Sequence, residues 1–261
     1  MVKKKVEAPT PPEVVQALLA ASEDEVLVGG QALIYWARVF SLVEQEDAPT
    51  ISNDVDFLTA SASNVHRVKV YAKILHGQVF VPSEKAKTAL VGQAYKDVGD
   101  TELLNVDVLW DVYGLDADAV RRRAVTVEAD GTRFRVMHPL HVLESRLMNL
   151  HKLRDKQNEK GAAQLRLAID VGREFLRSTL PQARAAQVAS GRSPLQGYVS
   201  EIEQLALRDA GRKVSKRYGI HVADAIDPSL IPAGPFWTKR WPALRTLMSS
   251  EYRSRFDPPG R

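Results

Sequence analysis

Three aspartates stand out because each lies in a segment that predicts a β-strand. Asp54 and Asp56 flank Val55 in DVDFLT, and Asp107 lies in the apolar run LLNVDVLW. Alternate residues of a strand point to the same face, so we expect Asp54 and Asp56 to share one face. Neighbouring carboxylates repel unless a cation neutralises them, and such oxygen ligands suit Mg²⁺ or Mn²⁺. A buried Asp107 would also need a partner, and a metal ion is one candidate.

Two glycines, Gly29 and Gly30, separate a predicted strand from a predicted helix. The strand is the apolar segment Glu25–Val28, and apolar residues at three- and four-residue intervals through GGQALIYWARVF indicate the helix. Glycines at such a turn let backbone N–H groups at the helix start approach a phosphate, and the helix dipole favours its charge. Taken alone, such a turn is more often an ordinary tight turn than a phosphate site, and an Asp-x-Asp pair is more often a solvated strand face than a ligand pair. Their order here favours a phosphate site facing a metal site.

The elements around these residues predict a mixed α/β domain over residues 1–136. Amphipathic helical periodicity occurs before and after the first strands, and Asp130-Gly131 is the turn signal of a hairpin. Further strands are predicted at Gln78–Val81, Ala89–Ala94 and Leu103–Val112.

The remainder, residues 137–261, is predicted to be mainly helical and to complete the cleft. Pro139 fits the first turn of a helix, Gly161 is predicted to separate two helices, and Gly219 to end a long one. The predicted fold class is therefore α+β, with a mixed β-sheet flanked by helices and then a helical C-terminal part.

Charge is divided unevenly along the chain. Residues 1–120 carry a net charge of −8 and residues 121–261 carry +12, within a total of +4. This division is compatible with a metal-dependent enzyme acting on a polyanion, and equally with helices that expose Lys and Arg to solvent. There is no cysteine, so thiolate metal sites and disulfides are excluded. No apolar run reaches transmembrane length, and we expect a cytoplasmic protein without a membrane partner.

The segments VLVGGQAL, ISNDVDFL and LLNVDVL together resemble the signature of the DNA polymerase β-like nucleotidyltransferase superfamily. Within it, the pattern is similar to that of bacterial abortive-infection nucleotidyltransferase toxins. The resemblance covers about Val26 to Leu176. It implies a nucleotidyltransferase-type mixed sheet, with a helical C-terminal part closing over the nucleotide.

By this resemblance, Asp54, Asp56 and Asp107 would be catalytic metal ligands, and Asp107 would activate the attacking hydroxyl. Gly29 and Gly30 would contact phosphate, as would Ser52 at the small hydroxyl position before the acidic pair. Toxin-like relatives often have a Lys on the helix after the last strand, where this chain has Arg146, which can also bind phosphate. Four further cations follow as candidate contacts for triphosphate or RNA, although each is individually expected on a solvated helix face: Lys152, Arg154, Lys156 and Arg166.

The function predicted is metal-dependent transfer of an NMP from an NTP to an acceptor hydroxyl. An RNA or tRNA end suits the basic C-terminal half and the toxin resemblance, whereas a protein side chain or a small molecule such as an aminoglycoside stays open. A toxin of this kind would have a cognate antitoxin. The alternative is a catalytically silent module that binds nucleic acid or a partner protein, although a silent copy has no reason to retain mutually repelling carboxylates.

Overall fold

A computed structural model describes residues 5–22, 24–44, 51–83, 85–190, 194–231 and 235–247. The chain divides into two compact units, Met1–Ser145 and Arg146–Arg261. The predicted division into residues 1–136 and 137–261, with the second part completing the cleft, stays a prediction. No helix in the described ranges combines the length and the apolar character needed to cross a bilayer.

The N-terminal unit is a mixed sheet with helices packed against it. Its strands are β1 (Val6–Glu7), β2 (Val26–Val28), β3 (Val55–Leu58), β4 (Gln78–Phe80), β5 (Leu90–Asp97), β6 (Glu102–Leu109), β7 (Val125–Ala129) and β8 (Thr132–Val136). Its helices are α1 (Pro12–Ala20), α2 (Gly29–Val39), α3 (Val65–Leu75), α4 (Ala117–Arg123) and α5 (Pro139–Lys152), the last of which contains the boundary between the units.

The strands of the described residues form one sheet in the order β4-β5-β6-β3-β2-β8-β7, and β1 pairs with the first part of β6. β3 runs parallel to β6 and antiparallel to β2, while β5 runs antiparallel to β6. β7 and β8 form the hairpin predicted around Asp130-Gly131. The α+β prediction, a mixed sheet flanked by helices and followed by a helical part, is confirmed.

Helix α3 covers one face of the sheet. Its Tyr71 stacks on Phe57 of β3, with ring centroids 4.7 Å apart, and both side chains are buried. Arg67, one turn earlier on α3, forms a buried ion pair with Glu25 at 2.8 Å. Burial, reinforced by the charge of Glu25, raises the pKa of Tyr71, so its phenol stays protonated. Successive residues of a strand point to opposite faces of the sheet, so Asp56, which precedes Phe57, points away from the face that α3 covers.

The C-terminal unit is helical, as predicted. After the end of α5 it contains α6 (Glu159–Ser190), α7 (Pro194–Leu207), α8 (Asp209–Tyr218) and α9 (Trp241–Leu247), with short 3₁₀ helices at Arg154–Lys156, Val222–Ala225 and Pro228–Leu230 and a π-helical turn at Phe236–Arg240. Arg173 of α6 donates two hydrogen bonds to the Asp224 carbonyl. These bonds attach the 3₁₀ helix Val222–Ala225 to α6.

Two helix boundaries in this unit differ from the prediction. Gly161 lies inside the first turn of α6 and does not separate two helices; a Cβ at this position would overlap the Lys156 carbonyl oxygen, so close backbone approach explains the glycine. The long pattern that ends at Gly219 is broken at Arg208, whose extended backbone divides it into α7 and α8. Gly219 does end α8, in the left-handed conformation expected of a helix C-terminal glycine.

Candidate active site

A row of four paired residues crosses the middle of the sheet. Val28 of β2 is paired with Asp56 of β3, Asp56 with Asp107 of β6, and Asp107 with Gln93 of β5. Directly paired residues of neighbouring strands point to the same face. Asp56 and Asp107 therefore face the same side of the sheet, opposite to the side that α3 covers. The structure thus brings together two of the three predicted carboxylates, which lie 51 positions apart in the sequence.

Two amide side chains hold the carboxylate of Asp107. Gln93 Nε2 donates to Asp107 Oδ1 at 2.9 Å, and Asn105 Nδ2 donates to the same oxygen at 3.0 Å. Asn105 lies two residues before Asp107 on β6 and shares its face, and its side chain is buried. Neither amide was predicted from the sequence. The spacing of two residues between Asn105 and Asp107 could have indicated that they share a face of the strand. The position of Gln93 beside Asp107 depends on strand register, which the sequence does not give.

The turn at Gly29 lies directly against Asp56. Gly29 has a φ of +65°, which favours glycine, and it follows β2 at the first position of α2. A Cβ added there would lie within 3.0 Å of three atoms of the Asp56 side chain, including Oδ2, closer than a real Cβ allows. The Asp56 carboxylate therefore lies beside the N-terminal end of α2, where the helix dipole stabilises negative charge.

Ser52 and Gly30 form the second close approach in this region. A Cβ on Gly30 would overlap Ser52 Oγ and Cβ, and both residues are buried. Ser52 Oγ donates a hydrogen bond of 2.6 Å to Asp54 Oδ1. The sequence predicted Asp54 within the strand, but β3 begins at Val55, so Asp54 lies one residue before the strand. The predicted residues Gly29, Gly30, Ser52, Asp54 and Asp56 are thus linked in one chain of contacts.

An N-terminal segment fixes the loop that carries Asp54. Thr10 Oγ1 donates to the Asn53 carbonyl at 2.8 Å, and Asn53 Nδ2 donates to the Glu7 carbonyl at 2.9 Å. The carboxylate of Glu7 also accepts from Asn105 Nδ2 at 3.5 Å. The segment through Glu7 therefore contacts both the Asp54 loop and the strand of Asp107. This support had no signal in the sequence.

The carboxylates of Asp56 and Asp107 supply some of the oxygen ligands that a hard divalent cation needs. Mg²⁺ in proteins is usually held by one or two carboxylates together with water and substrate phosphates, and two carboxylates in register meet that requirement. Among the residues that the structure describes, however, no group of three or more His, Asp or Glu side chains is arranged to hold a metal ion. The three-carboxylate site with Asp54 is therefore not preassembled, and its metal role stays a prediction.

The other two predicted phosphate contacts, Arg146 and Lys152, belong to the C-terminal unit. Arg146 is buried on α5, and its guanidinium donates to Gln164 Oε1 of α6 at 3.4 Å. Lys152 ends α5 and is exposed. Their contact with a nucleotide stays a prediction.

His138 directly precedes α5, and His141 lies in the first turn of that helix. The backbone N–H of Leu140 donates to His138 Nδ1 at 3.2 Å, and both rings are buried. Burial first, then the charges of Arg123 and His141, lower the pKa of His138 to about 3. His138 is therefore neutral at physiological pH.

Comparison with known proteins gives distant structural likeness alone. No protein-family model matches the chain. No curated protein sequence matches it. Among solved structures, the crystal structure of an antigenic nucleotidyltransferase-like protein from Paracoccidioides brasiliensis is similar over 80% of this chain and 94% of that one, at 13% identity and a TM-score of 0.39. At that distance, no residue role or substrate passes from that protein to this chain.

Proposed function

We propose that this chain is a nucleotidyltransferase that moves an NMP from an NTP to an acceptor hydroxyl. The observation that supports the proposal most directly is the register that pairs Asp56 with Asp107 on one face of the sheet, beside the glycine turn that begins α2. Carboxylates next to a helix N-terminus combine a cation site with a phosphate site, which is the pair of functions that NTP chemistry requires.

In this proposal, Asp56 and Asp107 hold Mg²⁺ or Mn²⁺, and Asp54 joins them when the nucleotide binds. When bound, the metal would neutralise charge on the phosphate oxygens. Because Ser52 Oγ holds Asp54 at 2.6 Å, recruiting Asp54 requires this hydroxyl to release the carboxylate or to move with it. Ser52 would then be available to donate to a phosphate oxygen.

The chain's own groups would perform the remaining steps. Backbone N–H groups at Gly29 and Gly30 would hold the triphosphate, and Asp107 would accept the proton of the acceptor hydroxyl. The hydroxyl oxygen forms a bond to the α-phosphorus as the bond from that phosphorus to the bridging oxygen breaks, and pyrophosphate leaves with the electron pair. Gln93 and Asn105, which donate to one oxygen of Asp107, would orient its carboxylate for this transfer.

The acceptor that we propose is the hydroxyl of an RNA end, such as that of tRNA. The net charge of +12 on residues 121–261 supports a polyanionic acceptor. In this proposal Arg146 and Lys152 contact phosphate, and the protein is a cytoplasmic, toxin-like bacterial enzyme controlled by a cognate antitoxin.

One observation favours a second candidate, a catalytically silent module that binds nucleic acid or a partner protein. Two amide donors already satisfy Asp107 Oδ1 without a cation. A carboxylate held in this way can be a structural group, because hydrogen bonds to a charged oxygen offset much of the cost of burying it.

The experiment incubates the protein with Mg²⁺, each α-labelled NTP in turn, and total RNA. Wild-type protein is compared with Asp56→Asn, Asp107→Asn and the control Asp97→Asn, which removes an exposed carboxylate at the end of β5 that pairs with Lys5. We expect label transfer from wild type and Asp97→Asn, and none from the other two variants.

Label transfer that persists in Asp56→Asn and Asp107→Asn would contradict the proposed site. Absence of transfer by the wild type, together with salt-dependent retention of RNA, would instead support the silent module, because phosphate contacts weaken steeply as salt rises. Circular dichroism spectra of all the variants establish that each is folded.

A further inference from the structure

The C-terminal unit contains a pocket of about 460 Å³ between the end of α5 and the last turns of α8. Leu150 and Val214 lie at its apolar base, and both side chains are buried. This volume lies within the range of pockets that bind small molecules, roughly 300 to 1,000 Å³. All the lining residues belong to this unit, so the pocket is distinct from the aspartates of the N-terminal unit.

The polar lining of the pocket is cationic. Lys213, Lys216 and Arg217 lie three and four positions apart on α8, so they project from one side of that helix. Lys213 pairs with Asp209 at 2.9 Å, whereas Arg217 donates to the neutral side chain of Gln157 at 3.3 Å. Among the described lining residues there is no carboxylate. The pocket therefore carries an excess of positive charge, which favours an anionic ligand.

His151 and Tyr218 add polar groups next to these cations. His151, whose side chain is 10% exposed, lies with its Nε2 3.7 Å from Asp209 Oδ2. The Tyr218 hydroxyl oxygen is buried and has no hydrogen-bond partner among the described residues. Arg217 lies over the Tyr218 ring, 5.0 Å from its centroid.

We propose that this pocket binds the phosphate group of a small, ring-bearing phosphate ester of mononucleotide size. Lys216 and Arg217 contact the phosphate, Arg217 with the fork geometry that suits its oxygens. The organic part packs on Leu150, Val214 and the Tyr218 ring. A pocket of this size, lined by residues of only two helices, favours a free small molecule over an RNA backbone, which would require an extended basic groove.

The test is calorimetry on the full chain in EDTA and about 50 mM salt, conditions that weaken screening and exclude metal-dependent binding. The probes are AMP, inorganic phosphate, adenosine and an oligoadenylate RNA without terminal phosphates. We expect AMP to bind, inorganic phosphate to bind more weakly and adenosine not to bind. Binding of the oligonucleotide with no binding of AMP would overturn the small-ligand proposal in favour of RNA.

Variants assign the binding to the pocket. Lys216→Gln combined with Arg217→Gln is expected to weaken AMP binding by about tenfold or more, equivalent to ~1.4 kcal/mol. The matched control, Lys160→Gln combined with Lys239→Gln, removes the same charge from exposed positions that do not line the pocket and should leave the affinity unchanged. Equal affinity of the Lys216/Arg217 double variant and the wild type would overturn the proposal.

Two further measurements separate this site from the proposed active site. AMP affinity should be unchanged in Asp56→Asn, and its loss there would place the binding at the aspartates and overturn the pocket. The pKa of His151 is lowered by burial and then by Lys152 on its own helix and Lys213 on α8, against the opposing charge of Asp209. Bound AMP should raise this pKa in an NMR titration, because a nearby anion favours the imidazolium; an unchanged pKa would contradict the placement.

Discussion

The Asp56 carboxylate lies where a side chain on Gly29 would have to be. Three atoms of the Asp56 side chain lie within 3.0 Å of the position of a Gly29 Cβ, and Gly29 also has a φ of +65°. Two independent requirements therefore select glycine at the start of α2: its backbone conformation and the close approach of a carboxylate from β3. This contact joins the glycine turn to the acidic strand.

Gly29→Ala should therefore lower stability by more than backbone strain alone, which costs roughly 1–2 kcal/mol for an L-residue in the left-handed region. The matched control is Gly131→Ala in the β7–β8 hairpin, where φ is +73° but nothing lies within 4 Å of an added Cβ. Urea denaturation followed by circular dichroism measures both. Equal losses of unfolding free energy in the two variants would show that the Asp56 side chain moves away from the added methyl group without a cost in stability.

Gln93→Leu should lower the free energy of unfolding by about 1–3 kcal/mol, because it removes one of the two amide donors to a partly buried carboxylate. Gln78→Leu on the neighbouring strand is the control. Gln78 accepts an exposed hydrogen bond from the Tyr95 hydroxyl, so its loss should change stability by less than about 0.5 kcal/mol. If both variants unfold at the same urea concentration, the amide of Gln93 does not stabilise Asp107.

Arg67→Met should destabilise the N-terminal unit by about 3–5 kcal/mol, because it leaves the Glu25 carboxylate, 5% exposed, without its cation. Lys5→Met breaks an ion pair of the same 2.8 Å length with Asp97, but at a solvent-exposed site. That variant should lose no more than about 1 kcal/mol. Comparable denaturation midpoints for the two variants would contradict the difference assigned to burial.

His138 predicts a specific dependence of stability on pH. Its pKa is about 3 in the folded protein against an ordinary value of 6.5, so below pH 6.5 the unfolded chain binds a proton that the folded chain excludes. The free energy of unfolding should fall as pH decreases from 6.5 towards 3, by up to about 1.4 kcal/mol per pH unit from this group.

His138→Asn is the informative variant for this pH dependence, since asparagine retains an acceptor for the Leu140 N–H but does not titrate. The difference in unfolding free energy between wild type and His138→Asn, measured in urea at several pH values, isolates the imidazole from the carboxylates. A difference that does not change with pH would show that His138 titrates normally.

Local sequence determined the elements and some of the side-chain directions. The period of a strand is two residues, so DVDFLT predicted a strand with its aspartates on one face before any strand pairing was known. Periodicity likewise predicted a helix that starts at the diglycine and the helical nature of the second unit, and the Asp130-Gly131 turn signal predicted the hairpin. These features depend on residues within a few positions of one another.

Only the tertiary structure decided which distant residues meet. The pairing of Asp56 with Asp107, the hydrogen bond from Gln93 and the contact of Gly29 with Asp56 all depend on strand order and register, which are set by packing between segments far apart in the chain. Sequence patterns record local preferences, whereas a site is formed by contacts that exist only after the sheet and helices have packed.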